Sequence, residues 1–377
     1  MRILADIIGI LVIVLVAQDA LETVVLPRRI MRRVRITRFF FFTTWAGCKL
    51  LARLIRPDAG RETALSSFGP LSLLVLIVLW AVLFVFGFGL LMWGFALSLN
   101  APDHPVSLLT YLYVSGTTFF TLGLGDITPA SGIARVFLVV EVASGFGFLA
   151  LVISYVPVLY QVFSRREQRI SLLDARAGSP ATATEFLRRN CSNQRFDELR
   201  TLLHEWEIWC ADILESHLSY PVLAYYRSQH NQQSWIEALT VILDTCALIL
   251  TGIEDIPVEP ARFAFAISRH AVIDLAQVFG STLTPSADRL PTSEFVRLQE
   301  VLGASGIFFK EGMDTERTLA DLRGTYEPFV SALARYMQVS LPPWIASQGA
   351  LDDWQTSGWD ERTPSTRRTL LKVMHGD

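Results

Sequence analysis

Residues 121–126 read Thr-Leu-Gly-Leu-Gly-Asp, a composition and spacing that could bind a dehydrated cation through the backbone. Successive carbonyl groups of an extended chain point to opposite sides. Glycine at every second position, here Gly123 and Gly125, permits the positive-φ conformations that turn these groups to one side. The groups that could then replace the hydration shell of a monovalent cation are the Thr121 hydroxyl and the carbonyls of Thr121, Leu122, Gly123 and Leu124. Because no single chain can enclose an ion in this way, the segment predicts a symmetric tetramer.

The alternative interpretation of the same segment is a turn, because Gly-Asp followed by Pro129 is also a sequence that favours turns. The surrounding elements decide between the two. Residues 106–120 form an apolar stretch about half as long as a membrane span, which suits a re-entrant helix, and Pro105 is well placed in its first turn. The end of such a helix would direct its negative dipole at the bound cation.

Three long apolar runs frame this stretch, at residues 3–26, 71–99 and 133–163. A spanning helix needs about 20 predominantly apolar residues, so the second and third runs clearly qualify and the first barely does. The first run has a second interpretation as a cleaved signal peptide, with Arg2 ahead of it. Its apolar stretch continues past the small residues near its end, which favours a retained span.

The placement of basic residues predicts the orientation. Ten Lys and Arg lie between the first and second runs, and residues 100–132 contain none. The positive-inside rule then puts residues 100–132 outside and the C-terminal region in the cytoplasm. A cleaved signal peptide would place the ten basic residues outside, against this rule.

The basic segment itself has two interpretations. Arg29, Arg32, Arg35 and Arg38 recur every third residue, as in a voltage-sensing helix, but a juxtamembrane segment attracted to anionic lipid is the simpler interpretation. Within residues 39–55, basic residues at helical spacing favour an interfacial amphipathic helix over a fourth span.

Residues 70–165, about a quarter of the chain, resemble the pore module of potassium channels, with outer helix, pore helix, filter and inner helix. The resemblance implies passage of K⁺ along a tetrameric filter formed by Thr121, Leu122, Gly123, Leu124 and Gly125. It also implies that Asp126 lies at the outer mouth, where Tyr113 and Thr117 of the pore helix would steady it. The family usually has an aromatic residue at the position of Leu124, and many members have a carboxylate at the position of Thr117.

Three residues of the third run carry further expectations. Glu141 is a carboxylate inside a span, expected either behind the filter against Thr117 or Ser115, or in a pore-facing ring that attracts cations. The substitution Glu141→Gln separates these two hypotheses. Gly145 lies where pore modules commonly have a hinge glycine, although close helix packing explains it equally well. Pro157 near the cytoplasmic end is expected to kink the helix and to act in gating.

Residues 165–377 are acidic, with 21 Lys and Arg against 28 Asp and Glu, which argues against nucleic acid as a partner. Apolar spacing predicts helices over 187–215 and 234–253. The four cysteines are expected to be reduced. A metal site at Cys210, Asp212, Glu215 and His217 is weighed against a plain helix face, and the helix face is favoured. No cofactor is expected beyond K⁺ as the permeant ion, and no nucleophile–base pairing indicates an enzyme.

The predicted fold is an all-α membrane protein with a helical cytosolic domain. The predicted parts are an N-terminal transmembrane helix at 1–27, a basic juxtamembrane segment with an interfacial helix at 28–69, the pore module at 70–165, the cytosolic domain at 166–348 and a polar tail at 349–377. The favoured function is a K⁺-selective channel in the cell membrane, regulated by an unidentified ligand or protein at the cytosolic domain. Two alternatives remain: a non-selective monovalent cation channel, and a membrane-anchored signalling or interaction protein with a non-conducting pore.

Overall fold

The structure is a computed structural model that describes residues 1–25, 35–55, 59–101, 105–191, 196–228, 233–310 and 314–346. Over these residues the chain is almost entirely helical, which confirms the predicted all-α membrane fold. It divides into two compact units, Met1–Gln161 and Val162–Asp377. The arginines at 28–33 and the tail at 349–377 lie outside the described residues.

The helices of the first unit are α1 (Arg2–Val24), α2 (Ile36–Leu54), α3 (Ala59–Gly94), α4 (Leu108–Phe119) and the first part of α5 (Gly132–Ala177). The rest of α5 belongs to the second unit. Three of them, α1, α3 and α5, are long and apolar enough to cross a membrane. These are the helices that the three apolar runs predicted. The apolar stretch at 39–55 forms α2.

Small residues let α1 pack closely against α3. A Cβ on Gly9 of α1 would lie 2.9 Å from the carbonyl oxygen of Gly87, and a Cβ on Gly87 would lie 3.3 Å from that of Gly9. Close backbone approach of this kind is how helices associate within lipid, where apolar side chains alone provide little preference. Gly9 and Gly87 therefore allow the backbones of α1 and α3 to lie close together.

α4 begins with a capping box in which Ser107 and Thr110 satisfy each other's backbone. It has 12 residues, so it is about 18 Å long, roughly half of a spanning helix. The Tyr111 hydroxyl donates to the Leu97 carbonyl oxygen at 2.8 Å and ties α4 to the end of α3. Two short antiparallel strands, β1 (Leu99–Asn100) and β2 (Thr128–Pro129), hold the chain on either side of α4 together.

The second unit contains α6 (Ala183–Asn190), α7 (Phe196–Ser219), a 3-10 turn (Pro221–Tyr225), α8 (Trp235–Leu250), α9 (Val258–Val278), α10 (Thr292–Gly303), α11 (Thr315–Gly324) and α12 (Glu327–Met337). Its centre is α8, nearly every residue of which is buried, and α9 packs against both α7 and α8. The single helix predicted over 187–215 is wrong in detail, because α6 ends at Asn190 and α7 begins at Phe196. The helix predicted over 234–253 corresponds to α8.

Candidate ion-conduction site

Along the backbone of residues 121–126 the φ angle is positive at every second residue, unlike in an ordinary strand. Thr121, Gly123 and Gly125 have φ values of 57°, 53° and 79°. Positive φ at every second residue turns consecutive carbonyls toward one side. Glycine adopts this conformation freely, whereas Thr121 pays a steric penalty of about 1–2 kcal/mol. The sequence suggested positive φ at the two glycines but carried no signal for Thr121.

The amide groups at the start of this segment point at α4. The carbonyl oxygen of Thr117 accepts from Leu122 N at 2.7 Å and from Gly123 N at 3.3 Å, and Thr121 N donates to the Thr118 carbonyl at 2.9 Å. With these N–H groups directed toward α4, the segment is anchored to the last turn of the helix through its backbone. The anchoring does not depend on the side chains at 122 and 124.

Of the two residues expected to contact Asp126, Tyr113 does so in the structure and Thr117 has a different partner. The Tyr113 hydroxyl donates to Asp126 Oδ2 at 2.8 Å, so the structure brings this pair together. The expected contact of Thr117 with Asp126 is not the one observed, because the Thr117 hydroxyl donates to the Val114 carbonyl at 3.0 Å within its own helix. A threonine hydroxyl has a single proton, and a helix carbonyl one turn earlier is the nearest acceptor for it.

Glu141 lies on α5 and is completely buried. Its Oε1 is in hydrogen-bond contact with the Ser115 hydroxyl of α4, which is also buried. The same hydroxyl lies 2.8 Å from the Val85 carbonyl oxygen of α3. Ser115 therefore joins three helices around one buried carboxyl group. Of the two partners that the sequence suggested for Glu141, the structure has Ser115.

Gly145 of α5 lies against the backbone of the last residue of α4. A Cβ at this position would lie 2.1 Å from the Phe119 carbonyl oxygen, whereas one on Gly147 would have open space. The Phe119 ring packs with Phe84 of α3 and Phe148 of α5, at centroid distances of 5.5 and 5.9 Å. Close packing alone is thus a sufficient reason for glycine at 145.

Pro157 lies inside α5, which continues through it to Ala177, and its side chain is exposed. The side chains of residues 121–126 are exposed as well. So is a row of large apolar residues along α5: Ile133, Val136, Val139, Phe146, Leu149 and Ile153. Both surfaces are uncovered in the single chain.

A second buried carboxylate lies where α1, α2 and α3 meet, and sequence reasoning did not single it out. Asp19 Oδ2 accepts from the Thr37 hydroxyl at 2.6 Å, from Thr37 N at 3.1 Å and from Trp80 Nε1 at 3.0 Å. The Arg35 guanidinium lies 3.8 Å from Oδ1. An acidic residue within an apolar run was the available signal, since such groups normally have partners. The partners come from distant parts of the sequence.

Comparison with known proteins identifies part of the chain. A family model described as "Ion channel" matches residues 72–161. A protein of Bacillus subtilis (strain 168) named "Uncharacterized membrane protein YdjJ" is 25% identical over 268 residues, covering 70% of this chain and 76% of that protein. No solved structure matches the chain significantly. Residues 72–161, which contain the alternating backbone segment and its anchors, are an ion channel domain of the two-transmembrane type in a membrane protein.

Proposed function

We propose that this protein is a K⁺-selective channel in which four copies assemble around an axis lined by residues 121–126. The alternating positive φ of Thr121, Gly123 and Gly125 carries the proposal. It gives the carbonyls of Thr121 to Leu124 a common direction, and four such rows around an axis form successive rings of oxygens that match the hydration shell of a monovalent cation.

The elements around the segment support a cation rather than an anion. The amide groups of Leu122 and Gly123, which would attract an anion, are directed toward α4 and occupied by the Thr117 carbonyl. The C-terminal end of α4 lies directly before the segment, so the negative end of its dipole favours positive charge there. Asp126 adds a carboxylate at the other end of the segment.

The exposed apolar row on α5 supports assembly with further copies. Lipid could cover these side chains, but it could not cover the polar backbone of residues 121–126, which needs other chains or water within the membrane. A closed cyclic arrangement satisfies both surfaces with the same contact repeated. We infer four copies because four chains can surround one ion with rings of carbonyl oxygens that replace its hydration shell.

Glu141 supports the pore in this proposal and does not line it, since the residue is fully buried against Ser115. The Ser115 hydroxyl has one proton, while the Val85 carbonyl and an ionised carboxylate are both acceptors. All the contacts become hydrogen bonds if Glu141 carries a proton and donates to Ser115, which in turn donates to Val85. The three helices are then joined by one neutral chain of donors.

The alternative of a non-selective cation channel rests on Leu124, whose side chain is 60% exposed in its own subunit. The filter is held by the Thr117 carbonyl and by the Tyr113–Asp126 contact, and Leu124 adds no polar anchor. We therefore expect the selectivity among monovalent cations to depend on these two anchors. The orientation with the C-terminal unit in the cytoplasm rests on the absence of Lys and Arg from residues 100–132.

Rubidium uptake into liposomes that contain the purified protein tests conduction, with Gly123→Asp as the matched non-conducting control. The proposal expects uptake by the wild type alone. A reversal potential measured in opposed K⁺ and Na⁺ gradients tests selectivity, and a value near zero would favour the non-selective channel. If neither the wild type nor any variant takes up rubidium at any pH or lipid composition, a signalling protein with a non-conducting pore becomes the better description.

A further inference from the structure

In the second unit, one side chain near its start is surrounded by groups from its own helix and from two other parts of the chain. Arg166 is 5% exposed, a rare state for an arginine. Its Nη1 donates to the Leu223 carbonyl at 2.9 Å and its Nη2 to the Tyr226 carbonyl at 2.5 Å. Its Nε pairs with Glu167 Oε1 at 3.0 Å. These contacts fix the guanidinium in position on α5.

The carbonyls that Arg166 binds belong to residues 221–228, which we call the strap. Two more contacts join the strap to α5: the rings of Phe163 and Tyr226 lie 5.5 Å apart, and the Ser228 hydroxyl donates to Glu167 Oε2. The strap is therefore attached to about one turn of α5 by an aromatic pair, a buried guanidinium and a carboxylate.

The other side of the strap is attached to α12. Arg227 Nη2 donates to the Met337 carbonyl at 2.7 Å and to the Gln338 carbonyl at 2.8 Å, which are groups that the end of a helix leaves without partners. The Tyr225 and Tyr336 hydroxyls lie 3.0 Å apart. The strap thus connects the beginning of the second unit with one of its last helices.

His217 of α7 completes the site of Arg166. It is fully buried, and its Nδ1 lies 2.9 Å from the Ile213 carbonyl, to which it can only donate. Nε2 of the neutral ring is then an acceptor, and it lies 3.2 Å from Arg166 Nη1. The imidazole also packs against the Trp235 ring at 4.7 Å. The position holds an uncharged imidazole in one tautomer.

We propose that the strap is one connection between α5 and the rest of the second unit, and that this connection is closed only while His217 is uncharged. A proton on Nε2 would remove one of the acceptors of Arg166 and place a second positive charge against it. The charged groups that face His217 in the described residues are Arg166 from α5 and, through Arg166, Glu167. α7 itself contributes Ser216 and the Ile213 carbonyl, and α8 contributes the Trp235 ring, so nothing on these elements compensates a charged imidazole.

The direction of the pH effect follows from linkage. Burial, and then the nearby Arg166 charge, hold the pKa of His217 well below its usual range while the strap is closed. A released His217 would have an ordinary pKa of about 6.5. The closed state is thus fully favoured above about pH 6.5 and loses up to about tenfold in its equilibrium constant for each pH unit below it. Acidification on the side of the second unit opens the strap.

The closing of the strap and the protonation of His217 are inferred from contacts within the second unit alone. Only the consequence for ion flow rests on the proposed channel function, because α5 is then the helix that lines the pore. The two parts therefore need separate measurements on the same full-length protein.

Hydrogen exchange of the full-length protein in detergent, from about pH 7.5 to about pH 5 and corrected for intrinsic exchange rates, measures the strap directly. We expect peptides covering 221–228 to lose protection on acidification in the wild type. His217→Gln, which retains an acceptor toward Arg166 and does not titrate, should keep that protection. His204→Gln, an exposed histidine of the same helix, is the matched control and should behave as the wild type.

Two results would overturn the proposal: an equal acid-induced loss of protection in His217→Gln, or a loss in which α8 peptides follow the strap in step, which would mean global unfolding. Arg166→Lys should weaken the protection of the strap at every pH, whereas Arg169→Lys, which alters an exposed ion pair between the same helix and Glu205 of α7, should not.

Rubidium flux at the same pH values then tests the connection to the pore. An acid-dependent change in wild-type flux that is absent in His217→Gln supports it, and flux that stays constant while the strap opens contradicts it. Absence of flux in every variant would refute the proposed channel function, and the exchange experiment would still decide the strap.

Discussion

Gly145 lies with its backbone against the carbonyl oxygen of Phe119, so that a Cβ at 145 would lie 2.1 Å from that oxygen. Phe119 is the last residue of α4 and comes two residues before Thr121. Because residue 145 has no Cβ, α5 can lie this close to the end of α4 and therefore to the TLGLGD segment.

Gly145→Ala is therefore expected to displace α4 or α5, because the obstructing atom belongs to the backbone and cannot rotate away. Overpacking of this kind costs about 1–3 kcal/mol. We expect a lower thermal stability of the detergent-solubilised protein and a loss of rubidium uptake. Gly147→Ala is the matched control, since a Cβ there has open space. Equal behaviour of the two variants would contradict the packing role of Gly145.

Tyr113→Phe removes the hydroxyl that donates to Asp126 while it keeps the aromatic ring. We expect the reversal potential in opposed K⁺ and Na⁺ gradients to move toward zero and the currents to decay faster, because Asp126 loses an anchor. Tyr160→Phe, at another exposed tyrosine, should leave both quantities unchanged. An unaltered reversal potential in Tyr113→Phe would show that the backbone anchors suffice.

Glu141→Gln is expected to conduct much as the wild type, because its amide N–H can replace the carboxyl proton toward Ser115. Glu141→Ala should assemble poorly or inactivate faster, since it leaves a cavity and removes one of the two hydrogen-bond partners of Ser115. Conductance and decay rates of the two variants decide the matter. A tetramer of Glu141→Gln that assembles intact but conducts weakly would favour the ring of pore-facing acids.

Asp244→Asn tests the core of the second unit. Asp244 is 1% exposed and accepts from Arg289 Nη2 and from the Tyr326 hydroxyl, each at 2.6 Å. Loss of its charge leaves the guanidinium only partly compensated, at a cost of about 3 kcal/mol or more in unfolding free energy. Asp288→Asn breaks a pair with Arg323 at a carboxylate that is 58% exposed and should cost less than about 1 kcal/mol. Thermal denaturation compares the two.

The parts of the fold that could be predicted from the sequence are those encoded by local composition. Three apolar runs predicted α1, α3 and α5, and the short run after Pro105 predicted a helix that ends before Thr121. The ion channel domain was recognisable because its glycines and its half-length helix are close together in the sequence.

The rest depends on contacts between distant residues. Arg166 and His217 are 51 positions apart, and Asp19 and Trp80 are 61 apart, so no periodicity relates them. Thr121 has positive φ because α4 holds its amide, and composition carries no trace of that. The break between α6 and α7 was missed because the apolar spacing continues on both sides of it.

The carboxylate of Asp19 serves as the N-terminal cap of a helix to which it does not belong, since α2 begins at Ile36 and its second residue, Thr37, donates its amide to α1. The indole of Trp80 shares the same acceptor. A shortened chain that began after Asp19 would bring an unpaired amide and an unpaired indole into the bilayer region. α1 thus supplies a polar partner to both α2 and α3, although the ion channel domain begins only at residue 72.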